Sequence, residues 1–160
     1  MLTPYHILPA TAKVWIYQAS RKLDNSEFNE MTKELTIFCK NWTAHNQQLK
    51  ASFVIEYHQI IILSVDESLS TASGCSIDKS VHFLKDIGKR YEIDFFNKMN
   101  LGYLENEELK TINFNSVNNA YKDGLVKLET PFLNYNITTL KDFKNWILPL
   151  SQHWVFNQLI

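Results

Sequence analysis

The sequence predicts an α+β fold with a ferredoxin-like βαββαβ core, and three observations carry that reading. Two helical apolar stripes interrupt β-type segments in the order β-α-β-β-α-β-β, the first six elements of a split βαβ arrangement. The second and third strand segments are separated by so short a gap, near His58, that they must form a tight hairpin. Composition is that of a globular chain: 160 residues, 45% hydrophobic and 21% charged, enough to bury a core without metal or disulfide staples. We expect a single α+β domain over residues 1–160. Its core, at about 13–115, is an antiparallel sheet with one extra strand, followed by a C-terminal helical extension at about 116–160.

Residues 13–19 (KVWIYQA) alternate Val14 and Ile16 with Trp15 and Tyr17 and read as the first strand. A turn follows, with Asn25 or Ser26 as N-cap candidate. Phe28, Met31, Leu35, Phe38 and Trp42 then recur at spacings of three and four, one apolar stripe of a helix, with Cys39 beside it as a small packing residue. Residues 51–57 alternate again. Residues 59–65 (QIIILSV) form a continuous apolar run, the mark of a strand buried on both faces. A small polar loop leads to a second helix carrying Ile77, Val81, Leu84, Ile87 and Tyr91 on one side, capped by Ser76 or Asp78. Residues 98–104 and 108–114 read as two more strands joined through Asn106-Glu107. Ser116 starts a short helix that stops near Gly124. Thr139 starts another, bearing Leu140, Phe143, Trp146 and Ile147, which Pro149 ends or kinks. Trp154, Phe156 and Leu159 then dock back on the body.

Sixteen basic residues stand against seventeen acidic ones, a net charge of −1. Without a basic excess or a dense Lys/Arg stripe, nucleic acid is not an expected partner. The opening MLTPYHILPATAKVW lacks a basic region followed by a long apolar stretch, and the longest purely aliphatic run is Ile60 to Leu63. Neither export nor a membrane is therefore expected. Cys39 and Cys75 read as reduced thiols, which points to the cytoplasm. No H-x-x-x-H, C-x-x-C or EF-hand spacing occurs, so no metal or cofactor is expected.

Residues 73–80 (SGCSIDKS) echo the phosphate loop of transporter ATPases, and the run IIILSVDES just upstream echoes their Asp-Glu strand. A phosphate loop needs G-x-x-x-x-G-K-[ST], because glycines let backbone amides wrap the phosphates. Here Ser73 holds the first glycine position, and Asp78 puts a carboxylate where the second belongs. The Asp-Glu strand also precedes the loop instead of following it, so nucleotide hydrolysis is not expected. The segments VWIYQASRKL, NWTAHNQQLKAS and VDESLSTASGCSIDKSVHF are similar to a small uncharacterised bacterial protein family, over most of residues 13–115. Its members are sometimes labelled "ABC transporter ATPase". The resemblance implies no established activity.

The loop from Asp66 to Asp78 is the most site-like stretch, because it leaves a buried strand and enters a helix N-terminus, where free amides favour anions. Ser73, Gly74, Ser76 and Asp78 are its candidate ligand-binding residues, read against a plain self-capping connection. Cys75 in the same loop is a candidate thiol nucleophile, with His82 two turns on as a base and Asp66 as an acid–base group. Trp42 and His45 are candidate pocket residues, read against core packing. The leading functional reading is a non-enzymatic small-ligand-binding or protein-interaction domain, with a small anionic ligand or a protein as partner. A homodimer would cover the sheet edges. The rival is a small enzyme using Cys75 or the 66–78 loop as an anion or phosphate pocket.

Overall fold

In the computed structural model, which describes residues 1–159, the chain is a mixed α/β protein with antiparallel sheets. It divides into two compact units. The first comprises Met1–Phe96 with Thr138–Lys141; the second comprises Asn97–Ile137 with Asp142 onward.

In the first unit, β1 (Lys13–Gln18) leads to α1 (Asn25–Asn41) and a minimal hairpin of β2 (Thr43–Ala44) and β3 (Gln47–Gln48). The strands β4 (Lys50–Glu56) and β5 (Ile60–Asp66) follow, then α2 (Gly74–Tyr91). The sheet order is β1-β5-β4 with both pairings antiparallel, so β1 and β4 run parallel on either side of β5. Ile61, Leu63 and Val65 pack into one cluster with Met31, Leu35 and Cys39 of α1 and Leu84 and Ile87 of α2, all fully buried. Burial of each large aliphatic side chain there is worth about 1.5–3 kcal/mol. Ile60, Ile62 and Ser64, which alternate with them, are equally buried. Both faces of β5 are therefore covered, which is why its sequence runs apolar without alternation.

The cap residues differ from those expected. Asp24, not Asn25 or Ser26, starts α1 in a capping box with Glu27. The Arg21 guanidinium also grips the Glu27 carboxylate at 2.7 and 2.8 Å, and with the Asp24 amide holds its pKa down to about 2. Ser73, not Ser76 or Asp78, is the N-cap of α2. The buried side of α2 is Ser76, Ser80, Leu84, Ile87 and Gly88, with Ile77 and Val81 only half-buried. Burying two serines costs little because each spends its hydroxyl locally, Ser76 on the Ser73 carbonyl (2.8 Å) and Ser80 on that of Ile77 (2.6 Å). Both edges of the sheet carry chain of their own. Ala51 of β4 exchanges hydrogen bonds with Met1 and Thr3, and Thr138 accepts from Val14 of β1. An edge-paired homodimer meets occupied positions there.

In the second unit, β6 (Asn100–Glu105), β7 (Glu108–Asn113), β8 (Pro131–Leu133) and β9 (Ile147–Pro149) form one sheet in the order β7-β6-β8-β9, with α3 (Val117–Lys122) after β7. This corrects the expected architecture. The strand at 98–104 is not the fourth strand of a ferredoxin-like sheet. It pairs with β7 and β8, and its Leu101 and Tyr103 share a core with Val117, Val126, Phe132, Leu150 and Val155. The boundary thus falls at Phe96 rather than near 115. Residues 116–159 are no helical extension either: beyond α3 they hold two short strands and 3-10 turns. The helix expected from Thr139 is a 3-10 turn over Leu140–Asn145 that passes into β9, where Pro149 pairs opposite Pro131. Pro149 fits because β9 is an edge strand, and Pro131 because it is the first residue of β8. Trp154 and Phe156 remain 43% and 37% exposed, with the Trp154 ring stacked on Phe114 at 5.7 Å. Among the described residues, no helix is long and apolar enough to cross a membrane.

His153, 2% exposed, anchors this second core. Its Nδ1 accepts from the Val155 amide at 3.3 Å, so the proton sits on Nε2 and is donated to the Leu133 carbonyl at 3.1 Å. Desolvation lowers its pKa from the usual 6.5, against the opposing pull of the Leu133 carbonyl. A histidine kept neutral in the folded state takes up its proton more readily when unfolded. Stability is therefore full above about pH 7 and falls as pH drops from about 6.5 through the folded value. We expect the His153 ring resonance to titrate below 6.5, with an unfolding free energy that declines over the same window. Titration at or above 6.5 would contradict this placement of the proton.

Candidate functional site

The structure distributes the predicted site residues over three separate duties. Ser73 and Ser76 form a reciprocal cap: the Ser73 amide donates to Ser76 Oγ at 2.7 Å and the Ser76 amide to Ser73 Oγ at 3.2 Å. The Ile77 amide goes to the Ser73 carbonyl. The Ser73 and Ser76 hydroxyls and the Ser73, Ser76 and Ile77 amides, read as part of an anion cradle, are thus taken up by the helix start itself. Gly74, the first residue of α2, is exposed, and a Cβ built on it meets no atom within 4 Å. No close backbone approach demands a glycine there. Asp78 is exposed in the next turn.

The proposed catalytic set does not assemble. Cys75 is an exposed free thiol and His82 is exposed seven residues further along the same helix. At about 1.5 Å of rise per residue, that separation is roughly 10 Å, too far for base and nucleophile to share a proton. Asp66 ties its own loop. It accepts from the Ser68 amide at 2.9 Å, which with Lys50 Nζ at 3.7 Å lowers its pKa. Glu67 likewise accepts from the Ala72 amide at 3.0 Å and faces Lys13 at 3.9 Å. Both acids border a recess of about 520 Å³ with Ile7, Pro9, Thr11 and Ser68. Among the described residues, no three His, Cys, Asp or Glu gather as metal ligands.

His45 and Trp42 part company as well. His45 is an exposed turn residue, with φ 48° beside Asn46 at φ 63°, the left-handed pair that closes the β2–β3 hairpin. Trp42 is 2% exposed at the C-cap of α1. Its indole N–H donates to the Ser76 carbonyl at 2.8 Å, and its ring lies 5.0 Å from Phe38 and 6.0 Å from Trp15. Cys39, one turn earlier, is fully buried and its thiol is pushed up to about 12 by desolvation, an inert packing group.

Trp42 leads to a feature that the sequence reading missed. Between α1 and α2 lies a groove of about 330 Å³ lined by Glu34, Ile37, Phe38, Asn41, Trp42, Lys79 and Phe83. Phe38 and Phe83 stack across the helix pair at 4.5 Å and 17°. At one end the Arg90 guanidinium holds both carboxylate oxygens of Glu34, joining α2 to α1. At the other, Lys79 Nζ donates to Thr43 Oγ1 at 3.1 Å. Ile37 stands 60% exposed beside the rings. The sequence signal was present but faint: Ile37 and Phe83 each lie one step off their helix's main stripe, and while Phe83 packs partly against the core, Ile37 stays 60% exposed, where core packing does not account for an apolar residue.

No family model, curated protein or solved structure matches the chain.

If the 73–78 segment is a capping device and not a ligand loop, its glycine is dispensable. Gly74→Ala is expected to raise stability by about 0.5 kcal/mol, by reducing the freedom of the unfolded chain. A loss of stability in denaturant unfolding would show that the backbone there needs glycine.

Proposed function

We propose that this protein is a non-enzymatic binding module whose small-molecule site is the groove between α1 and α2. The observation that carries the reading is the stacked Phe38–Phe83 pair, half-buried beside an exposed Ile37, where two otherwise packed helices leave about 330 Å³ between them. Small-molecule sites are concave, mostly apolar and bordered by a few polar groups, with volumes from roughly 300 Å³ upward. The groove has each of these attributes. The thiol-enzyme alternative has less support, since Cys75 and His82 stand two helical turns apart.

The same proposal assigns residues 13–115 to the small bacterial family that they resemble, with binding and not nucleotide hydrolysis as the shared property. It assigns the protein to the cytoplasm, where free Cys39 and Cys75 stay reduced.

The test is an amide and indole chemical-shift titration of the full chain with the neutral aromatic 2-naphthamide. Shifts confined to Ile37, Phe38, Asn41, Lys79, Phe83 and the Trp42 indole are the expected result. A saturating titration that moves none of these resonances, or moves those of residues 66–78 instead, would overturn the proposal.

A further inference from the structure

Resting on the groove reading above, we infer that the ligand is a small molecule with a planar aromatic body and one carboxylate, the carboxylate being received by Lys79. Charge complementarity decides the anion. Two ionised side chains line the groove, Glu34 and Lys79. Glu34 is satisfied by the two-pronged grip of Arg90. Lys79 contacts the neutral Thr43 hydroxyl and, among the described residues, forms no ion pair. An ammonium has three donors, and this contact uses one. Taken together, Glu34, Arg90 and Lys79 leave a single positive charge to be met.

That balance also selects the kind of anion. Phosphate recognition generally draws on an Arg fork or several donors around a doubly charged group. Here the Arg fork is already engaged, and the nearby Glu34 carboxylate opposes a second negative charge. A single carboxylate fits one point charge with two spare donors. The body is fixed by the walls. Phe38 and Phe83 lie nearly parallel at 4.5 Å, and Phe38 lies tilted against Trp42 at 5.0 Å. Such rings favour an added ring in an offset or edge-on contact. The size of the occupant follows from the volume, since about 330 Å³ is at the small end for ligand sites.

The experiment compares 2-naphthoate with its neutral isostere 2-naphthamide, by calorimetry and chemical-shift titration of the full chain at low ionic strength. We expect 2-naphthoate to bind at least tenfold more tightly than 2-naphthamide. Lys79→Met, which keeps the apolar stem at an exposed helix position, is expected to abolish that difference by lowering the affinity for 2-naphthoate. Phe83→Ala, with its fold verified by its amide spectrum, is expected to weaken both probes. Equal affinity of the two probes for the wild-type chain would overturn the carboxylate assignment and leave the groove as a neutral aromatic site. So would a tenfold preference that survives Lys79→Met. Failure of both probes to bind would overturn the groove reading itself, and this inference with it.

Discussion

The indole N–H of Trp42, donating to the Ser76 carbonyl at 2.8 Å inside the protein, is the contact on which the first unit turns. It joins the C-cap of α1 to the first turn of α2, 34 positions away in sequence. A buried indole N–H must find an acceptor, and the Ser76 carbonyl, already within the α2 hydrogen-bond ladder, offers it a second lone pair. This bond satisfies the indole and ties the start of α2 to the end of α1. The consequences run outward from there. Ser76, held by its carbonyl, offers its hydroxyl to the Ser73 amide and completes the capping box. The Trp42 ring, held by its nitrogen, sets one wall beside Phe38, which stacks on Phe83. The same bond therefore builds the start of α2 and one side of the groove.

That arrangement explains why the most site-like stretch of sequence is architecture. Serines near a helix start offer hydroxyls to a ligand or to the helix's own amides, and the two uses are indistinguishable in a sequence. Here the reciprocal bonds of Ser73 and Ser76 leave little for an anion. Asp66, read as an acid–base group, and its neighbour Glu67 each take an amide of the loop that follows, closing it on itself. The echo of a nucleotide-binding loop arises from residue types that cap helices and tie turns.

The parts of the fold written in local periodicity were legible. The α1 stripe, the two-sided burial of β5 and the hairpin at Tyr57 and His58, both in the left-handed region, follow from spacing and short gaps. What was not legible depended on long-range choice. Nothing in residues 98–104 says which neighbour they will pair with, and Tyr103 meets Phe132 across 28 intervening positions that include β7 and α3. The partner strands β8 and β9 are three residues each, too short for an alternating pattern to register. The His153 core position was hidden for the same reason: a lone histidine shows its burial only when the chain that covers it is in place. The groove was half-legible, since Trp42 was singled out, but Phe38 was absorbed into the core stripe and Lys79 read as part of a failed phosphate motif.

The most direct test of this account is the equilibrium unfolding of Trp42→Phe, which keeps an aromatic ring but deletes the indole N–H. The account predicts a loss of about 2–3 kcal/mol, from the deleted indole hydrogen bond and the space left by the smaller ring. It also predicts faster amide exchange at Ser76 and Ile77, where the cap loses its support. A variant within about 0.5 kcal/mol of wild type, the range of an ordinary surface change, with unaltered exchange at those amides, would mean that α2 is positioned by something else and that this contact is incidental.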